Sequence, residues 1–192
     1  MRIGVVAAQG AFAEHIAALR QLGVEALPIR LPGELAGLQG LIIPGGESTS
    51  ISQLMLDYNL IDKIVNLAKN GLPIFGTCAG MILLASEVLH SQKVKSLGLM
   101  NIKVRRNAFG RQKESFETDL SISVLGEKLF PGVFIRAPVI EQVHNKVEVL
   151  AKLSDGAPVA CQEGNLLVSA FHPELTDDLR FHQYFLDIVD DK

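Results

Sequence analysis

The stretch "FGTCAGMILLA", Phe75 to Ala85, sets a lone cysteine between two glycines, at the junction of an apolar run and a segment of helical character. The preceding "LPIF" reads as a short buried strand and the following "AGMILLA" as a helix. A strand, a sharp turn and a helix is the context of a nucleophile elbow, whose hydrolase form is G-x-S-x-G. In that reading Gly76 and Gly80 keep side chains away from Cys78, and the Ala79 N–H at the helix start can donate to an oxyanion. The same helix start favours negative charge on the sulfur. The bland alternative is a small buried thiol, which is how most free cysteines behave. A nucleophile needs a base, so the rest of the chain decides between the two.

Working outward, short apolar runs bounded by turn residues recur at Arg2 to Ala8, Val24 to Ile29, Gly40 to Pro44 and Leu72 to Thr77. Between them Ala11 to Leu22 puts Phe12, Ile16, Leu19 and Leu22 on one helical face, and Ile51 to Ala68 has similar spacing around Asn59. Near-continuous apolar strands alternating with helices predict an α/β fold with a parallel sheet covered on both faces. After Ser86 the pattern changes to strands with little helix between them, among them "LGLMNIKVRRN", "FETDLSISVL", "VFIRAPVI", "PVACQEG" and "NLLVSAF". These predict an antiparallel or mixed extension of the sheet, with a hairpin turn at Glu163-Gly164-Asn165. Asp177 to Asp190 predicts a closing helix that begins in acidic residues. No internal repeat or low-complexity linker divides the chain, so residues 1–192 are expected to form a single domain.

Composition narrows the function classes. Of 192 residues 48% are hydrophobic and 20% charged, enough for a core and unlike a disordered chain. The net charge is −3 and no Lys/Arg run exceeds two residues, which argues against nucleic acid as the partner. No uninterrupted apolar run is long enough to span a bilayer. The opening "MRIGVVAAQG" breaks at Gln9-Gly10, short of a signal peptide's hydrophobic core, so a cytoplasmic protein with Cys78 and Cys161 reduced is expected.

For the base, five histidines are available, His15, His90, His144, His172 and His182. His172 ends "NLLVSAF" and begins "HPE", where Pro173 stiffens the backbone and Glu174 can fall on the same side as the imidazole. A carboxylate so placed holds the ring in the tautomer that accepts a proton from the thiol. The alternative is a His and a Glu in a surface turn. Combined with the elbow, the catalytic reading prevails. His15, with Glu14, reads as a surface residue or helix-face contact, and His90, His144 and His182 show no partner logic. No Cys/His pair has metal-ligand spacing. "LIIPGGESTS", Leu41 to Ser50, is another strand, glycine turn and helix start, with Ser48 or Ser50 as a candidate cap. Its Gly45-Gly46 turn lets backbone N–H groups approach a substrate, while the absence of a P-loop lysine or GxGxxG weakens a phosphate role.

G-x-C-x-G with His172-Pro173-Glu174 resembles the class I, triad-type glutamine amidotransferases. "QGAFAEH", "PGGEST", "FGTCAG", "RRNAFGRQKESFE", "GVFIRAP" and "AFHPELT", spread from Gln9 to Thr176, narrow the resemblance to the glutaminase subunits of pyridoxal 5′-phosphate synthase. The resemblance implies a flavodoxin-like fold and hydrolysis of L-glutamine to glutamate and ammonia, with no cofactor and no metal. It implies Cys78 as nucleophile, His172 as base, Glu174 as its orienter, and Gly46 and Ala79 as oxyanion donors. Glutamine would be held by Gly46, Glu47, Ser48, Arg106, Ile135 and Arg136; spacing alone leaves Arg105 and Arg106 equivalent, and the motif selects Arg106. Gln9 and Gly10 would border the crevice. The implied partner is the synthase barrel subunit, which receives the ammonia in a large hetero-oligomer and on whose binding activity depends. A loop that becomes competent only in the complex would couple the two reactions, and the Gly45-Gly46 turn is the expected switch. Two rivals remain: a cysteine-elbow redox sensor, which would lack the His-Pro-Glu, and a stand-alone hydrolase of γ-glutamyl compounds, which would need a wider cleft. Ala7-Ala8 depart from the bulkier residues usual before Gln9.

Overall fold

The computed structural model describes residues 1–89, 93–106, 115–144 and 146–191. Its first half alternates as read: β1 (Arg2–Val6), α1 (Phe12–Gln21), β2 (Glu25–Ile29), β3 (Gly40–Ile43), α2 (Ser48–Asp57), α3 (Leu60–Lys69), β4 (Ile74–Thr77) and α4 (Ala79–Leu84). The stretch around Asn59 is two helices rather than one. Asn59 adopts φ 56° and ψ 33°, a left-handed conformation that asparagine tolerates better than most side chains and that ends one helix before the next begins.

The second half supplies β5 (Ala85–Leu89), β6 (Met100–Arg105), β7 (Ser115–Leu120), β8 (Phe130–Ile135), β9 (Val139–Val143), β10 (Glu148–Lys152), β11 (Pro158–Glu163), β12 (Leu166–Ser169) and α5 (Arg180–Asp190). A seven-stranded sheet runs β10-β11-β12-β4-β3-β1-β2. Its members from β12 to β2 pair in parallel, while β10, β11 and β12 form the antiparallel extension, with the hairpin at Glu163 to Leu166. The extension stops there. β5-β6-β9 and β7-β8 form separate sheets rather than adding to the first. The closing helix also starts at Arg180 rather than Asp177; Asp178 lies outside it, and its carboxylate accepts the Arg180 N–H at 3.1 Å.

Successive side chains on a strand point to opposite faces, and β4 uses both. Phe75 packs against Phe181 and Phe185 of α5 and edge-on to His15 of α1. Gly76 turns to the other face, where a Cβ would stand 2.7 Å from the Gly80 carbonyl of α4. Helices therefore cover the sheet on both sides, and the strands between them, β3 and β4, are buried at every position. From β1 the chain steps to β2 on one side, then to β3 and β4 on the other. Sheets of this kind bind ligands where the order reverses, beyond the carboxyl ends of the strands. The loops after β1 and β3 meet at that point: the Ala11 N–H donates to the Gly45 carbonyl at 3.1 Å.

Candidate active site

Cys78 follows β4 directly and holds φ 48° with ψ −99°, a conformation unusual for any residue with a side chain. It is fixed from both sides: its N–H donates to the Ser169 carbonyl at 2.7 Å, and its carbonyl accepts from Ile82 in α4 at 3.3 Å. The glycines flanking it have a packing reason beyond leaving the thiol clear. A Cβ on Gly80 would lie 1.9 Å from the Ile43 carbonyl oxygen, so only glycine lets α4 sit against the end of β3.

The parallel register pairs Thr77 with Ser169, so the residue after β4 and the segment after β12 leave the sheet side by side. That is how Cys78 and His172, distant in sequence, become neighbours. The His172 N–H is held by the Val133 carbonyl of β8 at 2.8 Å, and its Nδ1 lies 2.7 Å from Glu174 Oε1. Cys78, His172 and Glu174 are all buried. Burial works against a charged imidazole at His172, but the adjoining Cys78 and the bond and charge of Glu174 outweigh it and raise the ring's pKa to about 10. Burial likewise opposes the Glu174 charge, yet facing His15 and bonded His172 hold its carboxyl below the usual range.

A cleft of about 300 Å³ opens over the sulfur. Gly46, Glu47, Ser48, Arg106, Ile135 and Arg136 all line it together with Cys78 and His172, as does Gln9. Ala79 begins α4 beneath, its N–H among those at a helix start that lack a carbonyl four residues back. The Ile135 carbonyl is 4.0 Å from the Cys78 sulfur. Arg106 and Arg105 separate clearly: Arg106 donates to Glu47 Oε1 at 3.0 Å and to Thr49 at 3.2 Å in the cleft, whereas Arg105 is paired with Glu141. Because a trans peptide directs its N–H opposite its carbonyl, and the Gly45 carbonyl is bound to Ala11, the Gly46 N–H points away from α1. A Cβ on Gly45 would stand 2.3 Å from the His172 ring, so the glycine turn is also what lets the ring in.

The cap of α2 differs from the serine expected. Glu47 does it, accepting from the Thr49 and Ser50 N–H groups at 3.0 and 2.7 Å. Burial would raise its carboxyl, but these bonds and those of the Ser50 and Thr49 side chains bring it down to about 2.

Two histidines are placed otherwise than the sequence suggested. His15 is a core residue, 0% exposed, with Nε2 3.1 Å from Thr77 Oγ1 and 3.3 Å from Glu174 Oε2. Its Nδ1 lies 2.9 Å from Nε2 of His182, which is also fully buried and so does have a partner. A signal for both was present. His15 falls in the helical stripe of Phe12, Ile16 and Leu19, and His182 in that of Phe185, Leu186 and Val189. His144 contributes its N–H to the Asn101 carbonyl. His90 and residues 107–114 of the "RRNAFGRQKESFE" motif lie outside the described residues. Cys161 is a free thiol buried in β11, its pKa pushed by burial to about 12. Among the described residues no cluster of His, Cys, Asp or Glu could hold a metal ion, and no helix is long and apolar enough to cross a membrane.

Residues 5–191 match the family described as SNO glutamine amidotransferase. The chain belongs to that family. It is 57% identical to the pyridoxal 5′-phosphate synthase subunit PdxT of Moorella thermoacetica, over 98% of this chain and all (100%) of the relative. Identity to the subunit of the same name from Dehalococcoides mccartyi is 56%, over 100% of this chain and 98% of the relative. A crystal structure of a glutamine amidotransferase, 49% identical, superposes with a TM-score of 0.93 and covers 98% of both chains. The mostly parallel sheet between helices is thus the architecture of this family.

Proposed function

We propose that Cys78, His172 and Glu174 act as a triad that hydrolyses the side-chain amide of L-glutamine, and that the chain is the glutaminase subunit of a pyridoxal 5′-phosphate synthase. The observation that carries this is the buried His172, beside Cys78 in the cleft and 2.7 Å from Glu174 on its other side, above a strained elbow. The proton of the thiol passes to His172, whose raised pKa lets it keep that proton as an imidazolium. The sulfur attacks the amide carbon, and the Gly46 and Ala79 N–H groups receive the oxyanion. The C–N bond breaks, His172 gives its proton to the departing ammonia, and a thioester remains. Water, deprotonated by His172, then cleaves the thioester to glutamate and frees the sulfur.

Glutamine enters the cleft side chain first. Arg106 suits its α-carboxylate, with Glu47 already orienting the guanidinium, and the Ile135 carbonyl and Glu47 offer acceptors for the α-amino group. Gly46, Ser48 and Arg136 complete the wall around it. The names carried by the 57% and 56% identical relatives support a synthase subunit as recipient of the ammonia. We place this partner, the barrel subunit, in a large hetero-oligomer in the cytoplasm, a compartment that suits two free thiols.

Glutamate release from glutamine by the wild type and by Cys78→Ala, each with and without the synthase subunit, tests the reading. The expected result is release that the partner stimulates and that the substitution abolishes. Equal release from both proteins, or none from either with the partner present, would return Cys78 to the role of a buried thiol.

A further inference from the structure

Behind the three proposed catalytic side chains lies a second, wholly buried layer that the chemistry above does not use. The Glu174 carboxylate gives Oε1 to His172, while Oε2 has no hydrogen-bond partner of good geometry among the described residues and faces His15 Nε2 at 3.3 Å. We propose that His15 is a positioning residue for the reaction: from α1 its Nε2–H steadies Glu174 Oε2 and the Thr77 hydroxyl, and His182 fixes the tautomer in which it can do so. The proposal rests on the triad reading and adds to it a device for holding the acid and the elbow at a set separation.

The tautomer argument starts from the carboxylate. A neutral imidazole carries one N–H and one lone pair. If His15 carried its proton on Nδ1, the Nε2 lone pair would face the buried Glu174 oxygen, acceptor against acceptor. Placing the proton on Nε2 turns that contact into an attraction and gives Thr77 Oγ1, at 3.1 Å, a donor as well. His15 Nδ1 is then an acceptor, so His182 must donate from Nε2 across the 2.9 Å contact. His182 Nδ1 is left as a bare lone pair, and among the described residues that buried atom has no hydrogen-bond partner. That unsatisfied acceptor ends a relay in which His182 donates to His15 and the His15 Nε2–H faces Thr77 and Glu174.

Burial keeps both imidazoles uncharged, with the pKa of His15 lowered and that of His182 brought down to about 3. His15 therefore acts on Glu174 through an oriented N–H rather than as a second imidazolium. The covalent connection matters equally. Thr77 immediately precedes Cys78, and Glu174 follows His172 by two residues, so one ring on α1 ties together the two backbone segments that carry the nucleophile and the base. The charged or titratable groups around this layer are His172 on the segment of Glu174, Cys78 at the elbow, His182 on α5, Glu14 beside His15 on α1, and Asp177, which shares a surface cleft with Glu14 and Glu174.

The test uses the chain assembled with its synthase partner, comparing wild type, His15→Leu, His15→Gln and His182→Phe for glutamine hydrolysis across pH. Losing the N–H that faces the buried carboxylate at 3.3 Å, together with the Thr77 bond, predicts a fall of about 10-fold or more in kcat for His15→Leu. KM should change little, because His15 does not line the cleft. With one neighbour removed, Glu174 is protonated more easily, so the acid limb of the rate profile moves to higher pH. His15→Gln, whose amide N–H can take the place of Nε2–H, should recover part of kcat and return the limb towards the wild type. His182→Phe should show the same two changes at smaller size. A uniform loss at every pH with no recovery in His15→Gln would mean that His15 only fills space, and an unchanged kcat would remove it from the reaction altogether. Should His15→Leu fail to fold, the limbs of His15→Gln and His182→Phe decide the matter. Cys78→Ala in the same assay separates the two levels: if it is inactive while the His15 variants behave as wild type, only the positioning role falls, and if it is active the triad falls first.

Discussion

Cys78 and His172 differ in what the surrounding chain does to each. The backbone at Cys78 is forced to φ 48°, an arrangement that persists only where neighbours over-determine it, here the bonds to Ser169 and Ile82. His172 instead is tuned: although burial disfavours its charge, Cys78 and Glu174 raise its pKa to about 10. In the proposed reaction the imidazolium donates to the departing ammonia, so kcat/KM should hold through neutral pH and fall as pH rises through about 10. Removing the carboxylate charge in Glu174→Gln takes away part of what raises the pKa, and the alkaline limb should then move to lower pH. Rate profiles of both proteins from brief assays at each pH would show it. A limb that does not move in Glu174→Gln would belong to another group, such as the substrate amine, and a wild-type limb near 6.5, the value of an ordinary imidazole, would refute the raised pKa.

At the scale of elements, the elbow works because α4 lies almost on the backbone of β3 and β4. The packing leaves no room for a methyl group: a Cβ on Gly80 would meet the Ile43 carbonyl oxygen at 1.9 Å. Backbone cannot yield as a flexible side chain does, so Gly80→Ala should displace the start of α4, lower stability by about 1–3 kcal/mol and abolish glutaminase activity together with the Ala79 donor. Gly33→Ala, where a Cβ meets nothing within 4 Å, is the control and should stay within about 0.5 kcal/mol. Denaturant midpoints of the two variants check this; equal midpoints would show that α4 can shift freely. The strand-turn-helix order was legible in "FGTCAGMILLA" because each part has a local cause. The sheets of the second half were not. β5 follows α4 without a turn residue, and nothing within "ASEVL" or "FETDL" says which distant strand will pair with it. The Asn59 break was equally hidden, since apolar spacing continues through it and only the left-handed backbone ends the helix.

Over the whole molecule, the proposed site draws on separate sheets at once: β4 and β12 bring the triad, β3 the glycine turn, β6 ends beside Arg106, and β8 carries Ile135 to the cleft. Cys78, His172 and Glu174 could be read from the sequence because the elbow and His-Pro-Glu are short, contiguous motifs. The His15–His182 layer could not, because a histidine in an apolar stripe has no local mark of its buried partner 167 residues away. That layer makes the fold itself sensitive to acid. His182 is neutral when folded, its pKa brought to about 3 by burial and by neighbouring His15, against about 6.5 when unfolded. A depressed histidine pKa stabilises the fold above the unfolded value, and this contribution is lost as pH falls from about 6.5 towards about 3. Glu174 acts in the same direction, because its lowered carboxyl stabilises the folded state above its ordinary carboxylate range and loses that contribution below it. Through the window from pH 6 to pH 5 the unfolded chain binds nearly one more proton at position 182, so unfolding free energy should drop by about 1 kcal/mol per pH unit from this residue. Denaturant titrations at a series of pH values, on wild type and His182→Phe, isolate that share. The variant should be less steep by about this amount, because phenylalanine binds no proton in either state. Identical slopes would mean that His182 takes up its proton in the folded protein, and that the buried layer is charged rather than neutral.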